Sequence, residues 1–242
     1  MPHFFIESKN VIDNFATVSD AENYRHIAKA LRARVGEKLL LIDENQIQYE
    51  TVIYTIYSSK ILCKIENSYP SKRDLEFDLY LAQSPLRSDA QLTIMEKATE
   101  LGARAVYPII TDNCALNKSV LEKKHEKWQK VMYEASKQCE RADVPKCFEP
   151  EKLENLLEKF DKVIVFCERI ATKTLKEIDP VKPDENLLVI IGPEGGFSER
   201  EFKLFETKKL EMLTLGNLIL KAETAVTVGL GNIVYEFTSK NS

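Results

Sequence analysis

The stretch Asn186-Leu187-Leu188-Val189-Ile190-Ile191-Gly192-Pro193-Glu194-Gly195-Gly196-Phe197-Ser198-Glu199-Arg200-Glu201 limits the folds open to this chain more than any other segment. Its first half is an unbroken apolar run of strand length, the pattern of a strand buried on both faces in a parallel sheet. Its end places Ser198 three residues before Glu201, so that a hydroxyl and a carboxylate can cap a new helix reciprocally. Between strand and helix lies nearly bare main chain, where glycine makes left-handed backbone cheap and lets a ligand approach closely. A second joint of this kind follows, Met212-Leu213-Thr214-Leu215 leading into Gly216-Asn217-Leu218-Ile219-Leu220-Lys221-Ala222-Glu223-Thr224-Ala225.

These joints belong to a longer alternation that begins near residue 75. Strands are predicted at 77–82, 105–110, 162–166, 187–191 and 212–215, and helices at 89–101, 119–142, 150–160, 198–208 and 223–237. Alternation of this kind specifies an α/β domain, a parallel sheet covered by helices on both faces. Ligands of such sheets bind beyond the carboxyl ends of the strands. Both glycine loops lie at such ends, on consecutive strands, and are expected to wall one crevice. Residues 1–67 read differently, as short strands at 4–6, 38–42, 49–54 and 60–65 around one helix near 20–33, the pattern of a small barrel. The polar, proline-bearing Ser68–Asp74 is the expected linker, dividing the chain into domains 1–70 and 71–242.

The glycine spacing excludes two common ligand classes. It fits neither a phosphate-binding loop nor a dinucleotide turn. Glu194 would also repel a pyrophosphate, whereas it would attract a cationic group or accept hydrogen bonds from hydroxyls. One such loop alone is equally well explained as a tight turn; the second loop shifts the balance toward a site. Five cysteines and three histidines without ligand spacing argue against a metal, a disulfide framework or a Cys-His nucleophile. No apolar run approaches the roughly 20 residues that span a bilayer, and Met1-Pro2-His3-Phe4 does not open a signal peptide. A cytoplasmic protein without membrane contact is expected. A net charge of −4 does not advertise a nucleic-acid binder. Locally, however, Arg25, His26, Lys29 and Arg32 share helical spacing and Arg34 follows, forming either a phosphate-attracting stripe or a solvated face. Trp128 with Val131, Met132 and Ala135 reads as packing. Arg141 either stabilises a helix end or points into the crevice.

With these residues in view, the chain resembles the RsmE family, the 16S ribosomal RNA uridine-N3 methyltransferases of the SPOUT superfamily, over nearly its whole length. The resemblance rests on Gly192-Pro193-Glu194-Gly195-Gly196 and on Leu215 to Ala225, supported by Glu96-Lys97-Ala98-Thr99-Glu100-Leu101-Gly102, by Glu134 to Arg141, and by His26 with Leu31-Arg32. It implies a PUA-like β-barrel that engages RNA, followed by a SPOUT trefoil-knot methyltransferase domain, S-adenosylmethionine as methyl donor, and a homodimer. The implied substrate is N3 of a uridine in 16S ribosomal RNA of the 30S subunit, uridine 1498 in the usual ribosomal numbering. Carried onto this sequence, the donor site comprises Gly192, Pro193, Glu194, Gly195, Gly196, Leu215, Gly216, Ile219, Leu220, Thr224 and Ala225. Lys221 and Arg141 are the candidate cations for the developing anionic ring, Glu194 and Glu223 the candidate proton acceptors, and Arg25, His26, Lys29, Arg32 and Arg34 the candidate RNA contacts. Two positions depart from the family pattern: Lys221 stands where arginine is usual, and Lys137 where glutamate is frequent. Lysine keeps the charge and loses the planar bidentate fork. The competing readings are a methyltransferase acting on another base or a ribose 2′-hydroxyl, and a non-catalytic RNA binder.

Overall fold

The structure, a computed structural model, describes residues 1–72, 75–87 and 89–238. The chain divides into two compact units, Met1–Arg73 with Ser136–Asp143, and Asp74–Ala135 with Val144–Ser242.

The first unit is a six-stranded sheet built from β1 (His3–Phe5), β2 (Val11–Ile12), β3 (Phe15–Val18), β4 (Lys38–Ile42), β5 (Ile47–Ile56) and β6 (Ile61–Pro70), in the order β1-β4-β5-β6-β3-β2. Only β1 and β4 run parallel; the other pairs are antiparallel. Alternate residues Leu39 and Leu41 of β4, with Ile53, Ile61 and Cys63, form the core with Phe4 and with Ile27 of the helix. The expected linker at Ser68–Asp74 is corrected at its start. Ser68, Tyr69 and Pro70 continue β6 opposite Tyr49, Gln48 and Ile47, because the long strand β5 offers them ladder partners. Arg73 and Asp74 lie outside the described residues. The helix expected at 20–33 is α1 (Ala21–Arg25) followed by a π turn over His26–Ala30. Asp20 caps it, accepting from the amides of Glu22 and Asn23 at 3.0 and 2.8 Å. It ends before Arg32, whose φ of +52° is incompatible with a continuing helix.

The second unit carries β7 (Asp78–Gln83), α2 (Ala90–Glu100), β8 (Ala105–Ile110), α3 (Lys118–Gln138), β9 (Lys146–Cys147), β10 (Glu151–Lys152), β11 (Lys162–Phe166), β12 (Asn186–Ile191), α4 (Glu199–Thr207), β13 (Glu211–Leu213) and α5 (Ala222–Thr238). All its strand pairs are parallel, in the order β10-β8-β7-β12-β11-β13, with β9 beside β8. The central strands sort their residues by parity. Leu187, Val189 and Ile191 of β12 face one core with Ile94 and Met95 of α2, Trp128 and Met132 of α3, and Val226 and Leu230 of α5. Leu188 and Ile190 face the other, with Phe205 of α4 and Leu153, Leu156 and Leu157. A strand buried on both faces therefore needs the continuous apolar run seen in the sequence.

One expectation is corrected here. The helix predicted at 150–160 is absent. Glu151 and Lys152 pair with Ile109 and Ile110 as β10, and a 3₁₀ turn, Leu153–Asn155, follows. The helix-like spacing of Leu153, Leu156, Leu157 and Phe160 instead serves a turn-rich segment pressed onto the sheet. The two glycine loops follow strands that are consecutive along the chain, as expected, but not neighbours in the sheet, since β11 lies between β12 and β13. No helix among the described residues is long and apolar enough to cross a membrane.

Candidate active site

Beyond the carboxyl ends of β11 and β12 opens a crevice of about 520 Å³. Its lining includes the whole run from Ile191 to Phe197 and, from the other loop, Ile219, Leu220, Lys221, Ala222, Glu223 and Ala225. The two loops thus share one crevice although β11 separates their strands, and Phe166 at the end of β11, with Glu168 and Arg169 after it, joins the same lining.

The first loop is held from several sides. Gly196 donates its amide to the Pro193 carbonyl at 2.9 Å, closing a turn in which Gly196 takes φ +71°. Asn113, just past β8, donates to the Gly196 carbonyl at 3.0 Å and reaches that of Gly195 at 3.5 Å. A side chain at Gly195 would meet Asn113 Cβ at 3.2 Å, and one at Gly192 would meet the Phe197 ring at 3.1 Å. The glycines therefore answer to three separate constraints: one to backbone conformation and two to neighbouring side chains. The loop's exit is fixed by the expected capping box, Glu201 and Ser198 exchanging bonds at 2.8 and 3.2 Å. Buried Glu201 also accepts from the Asp112 amide at 3.0 Å. Asp112 in turn accepts from Ser198 at 2.5 Å and from both forks of Arg200, at 3.0 and 2.8 Å. Those bonds from Arg200 and Ser198 hold the Asp112 carboxyl down to about 2.

The second loop turns at Gly216, φ +136°, where the Thr214 hydroxyl donates to the Gly216 carbonyl at 2.8 Å. Leu218 and Ile219 stand exposed beyond it, and the Ala225 amide donates to Lys221 at 2.8 Å as α5 begins.

Of the expected donor-site residues, Gly192, Pro193, Glu194, Gly195, Gly196, Ile219, Leu220 and Ala225 line the crevice, whereas Leu215, Gly216 and Thr224 do not. Lys221, Glu194 and Glu223 are on its wall. Arg141 is not: it falls in the first unit, buried, with its guanidinium held by Asp143 at 2.8 Å. Arg25, His26, Lys29, Arg32 and Arg34 are all exposed on the first unit. Sequence reading missed Arg87, Phe166, Glu168, Arg169, Phe197 and Phe202. The signal available for Phe166 to Arg169 was the end of an apolar strand, which drew no notice for want of glycine.

The lining is chemically mixed. Phe166, Ile191, Phe197, Leu220 and Ala225 make an apolar wall, while three cations, Arg87, Arg169 and Lys221, face three carboxylates, Glu168, Glu194 and Glu223. Balanced charge suits a ligand that carries both signs better than a bare anion. All five cysteines are free, and burial pushes the Cys147 and Cys167 thiols up to about 12, leaving them poor nucleophiles. Among the described residues no cluster of His, Cys, Asp or Glu is arranged to hold a metal ion.

The parallel sheet and its strand-end crevice define an α/β domain that binds a small molecule, preceded in the chain by a small sheet unit. A family model described as an RNA methyltransferase domain matches residues 73–234, and one described as an RNA methyltransferase PUA domain matches 18–66. The ribosomal RNA small subunit methyltransferase E of Bacillus subtilis is 27% identical, over 98% of this chain and 97% of its own; that of Aquifex aeolicus is 31% identical, over 74% and 76%. The chain belongs to the ribosomal RNA small subunit methyltransferase E family. Its fold matches that of the Neisseria gonorrhoeae enzyme of this name, solved bound to S-adenosyl methionine, with a TM-score of 0.85 at 23% identity over 98% of both chains. A methyltransferase from Legionella pneumophila, also in complex with this cofactor, superposes with a TM-score of 0.84 at 24% identity, over 97% of both chains.

Proposed function

We propose that this enzyme transfers a methyl group from S-adenosylmethionine to N3 of a uridine in 16S ribosomal RNA of the small ribosomal subunit. The observation that carries the reading is the convergence of the two loops, from β12 and β13, on one crevice of about 520 Å³ in a chain similar to its relatives end to end. That volume lies within the range usual for small-molecule sites. The residues present fit the donor: an apolar wall for a purine, main chain laid bare at Gly195 and Gly196, and charges of both signs for a group bearing both. Gly192 to Gly196 and Ile219 to Ala225 would hold it.

The donor supplies a methyl group already activated on a sulfonium, so the protein's share is alignment and exclusion of water. Uracil N3 carries a proton, and its removal leaves an anionic ring. Lys221, exposed on the crevice wall, brings positive charge to that anion as it develops. Glu194 and Glu223 are the carboxylates beside it that can accept the proton. Arg141, whose guanidinium is engaged by Asp143 in the first unit, is not among the residues that line the crevice.

The exposed basic residues Arg25, His26, Lys29, Arg32 and Arg34 are the proposed RNA contacts. A cytoplasmic homodimer with the trefoil knot completes the reading, supported by the family resemblance and, for the dimer, by exposed Leu218 and Tyr235. Mass spectrometry of nucleosides from small subunits incubated with the protein and S-adenosylmethionine tests it. 3-Methyluridine is the expected product; a ribose-methylated nucleoside or another methylated base would overturn the assignment of the acceptor.

A further inference from the structure

Glu168 follows β11 and lines the crevice between the two loops. Its Oε1 is shut off from water, and no donor reaches it. A desolvated carboxylate oxygen left without a partner is among the costlier defects a fold can carry. The other two carboxylates of the crevice are under no such demand. Glu194 is exposed, and Glu223 is half-buried without an orphaned oxygen. The next residue, Arg169, also lines the crevice, is exposed, and has no ion-pair partner among the described residues. Two adjacent side chains of opposite charge thus line one cavity, and among the described residues neither Glu168 Oε1 nor the Arg169 guanidinium is satisfied by an opposite charge.

Resting on the reading of this crevice as the methyl-donor site, we infer that Glu168 and Arg169 form the subsite for the donor's zwitterionic amino-acid end. Glu168 receives the α-ammonium and Arg169 the α-carboxylate. Three features select this end of the ligand. The ammonium is the donor's only group that brings both positive charge and N–H bonds, so it alone matches the Glu168 carboxylate in charge and in hydrogen bonding, the side chain turning its shielded oxygen to the ligand. The sulfonium is charged but has no hydrogen to give. Sugar hydroxyls would donate but leave the charge of Glu168 uncompensated, and the purine is suited to the apolar wall of Phe166, Ile191 and Leu220. The pair therefore binds the part of the donor that does not change in the reaction. It is a positioning pair that sets affinity for donor and product alike, and it contributes uniformly to ground and transition states.

Calorimetry on the full chain with S-adenosylhomocysteine and with 5′-methylthioadenosine, which keeps the adenosine and thioether but lacks the amino acid, separates the possibilities. Glu168→Gln and Arg169→Met should each weaken S-adenosylhomocysteine by roughly 10- to 100-fold, the worth of a hydrogen bond to a charged group. Methylthioadenosine should bind both variants as it binds the wild type, which also reports an intact fold. S-Adenosylmethionine should lose affinity by the same factor as S-adenosylhomocysteine. Undiminished S-adenosylhomocysteine affinity, a parallel loss of methylthioadenosine in the exposed Arg169→Met variant, or a loss confined to the sulfonium ligand would each overturn the inference while leaving the donor site in place. A wild-type protein that binds none of the three would instead remove the reading of the crevice on which the inference rests.

Discussion

Gly195 lies in ordinary backbone, yet the place its side chain would take is already filled: Asn113 Cβ is 3.2 Å away. A valine there adds two further methyl groups against Asn113, whose amide holds the loop through the Gly196 carbonyl at 3.0 Å. Gly195→Val should therefore weaken S-adenosylmethionine by more than about tenfold, or about 1.4 kcal/mol, in calorimetry, with helix content unchanged by circular dichroism; full affinity would show that the loop does not shape the site. Gly196 gives a contrasting case. An added methyl meets open space, but φ is +71°, so Gly196→Ala should cost about 1–2 kcal/mol of stability in a denaturant titration through backbone strain alone. The glycine spacing was legible in the sequence, and so was its placement at a ligand crevice. The reasons for individual glycines were not, because Asn113 lies 82 residues from Gly195 and meets it only when β8 and β12 share a sheet. Glu168 stayed hidden for a related reason: an orphaned oxygen is a property of surroundings, which no local pattern records.

Elements were most legible where one physical demand dominated. The parity of β12, with Leu188 and Ile190 to one core and Val189 and Ile191 to the other, forces a continuous apolar run, and such runs located most strands of the second unit. The segment 150–160 misled because Leu153, Leu156, Leu157 and Phe160 repeat at helical intervals while its first residues are claimed by β8. Helix α5 makes a prediction at this scale. Alanine at Gly229 would favour the helix by about 1 kcal/mol, but its Cβ would come within 2.8 Å of the Phe166 ring, which is itself buried and lines the crevice. Overpacking of this kind costs about 1–3 kcal/mol, so Gly229→Ala should lower the melting temperature and weaken the donor together. The start of α4 makes another. The Asp112 carboxyl is held down to about 2 by Arg200 and Ser198. A carboxyl depressed in the folded state adds stability that is complete above its unfolded value near 4 and is lost as pH falls toward 2. Thermal melts should show the wild type losing this contribution between about pH 4 and 2. Arg200→Met should lack it at neutral pH, so the two curves should converge in acid; curves that stay parallel would deny the pair a role in acid stability. The side chains are partly exposed, which keeps the effect small.

At the scale of the whole molecule the crevice and the basic stripe fall in different units. Every residue on the crevice wall belongs to the second unit, while Arg25, His26, Lys29, Arg32 and Arg34 stand exposed on the first. Along the chain short strands give way to alternating strands and helices near residue 75. The assignment of Ser136–Asp143, with Arg141, to the first unit was not legible, since those residues lie within the second unit's span of sequence. A chain of net charge −4 that works on RNA must concentrate its cations locally. Reversing charge with Arg25→Glu and Arg32→Glu should therefore weaken binding of a 16S RNA fragment and flatten its salt dependence. The slope of log affinity against log salt should fall by about 1.4–1.8, the loss of two phosphate contacts. Donor affinity in calorimetry should not change, because neither arginine belongs to the unit that builds the crevice. An unaltered salt slope would place the RNA elsewhere on the protein, and a concurrent loss of donor binding would mean that the two units do not act separately. Only the combination of a shallower slope with an intact donor site fits a molecule in which one unit holds the RNA and the other carries out the methyl transfer.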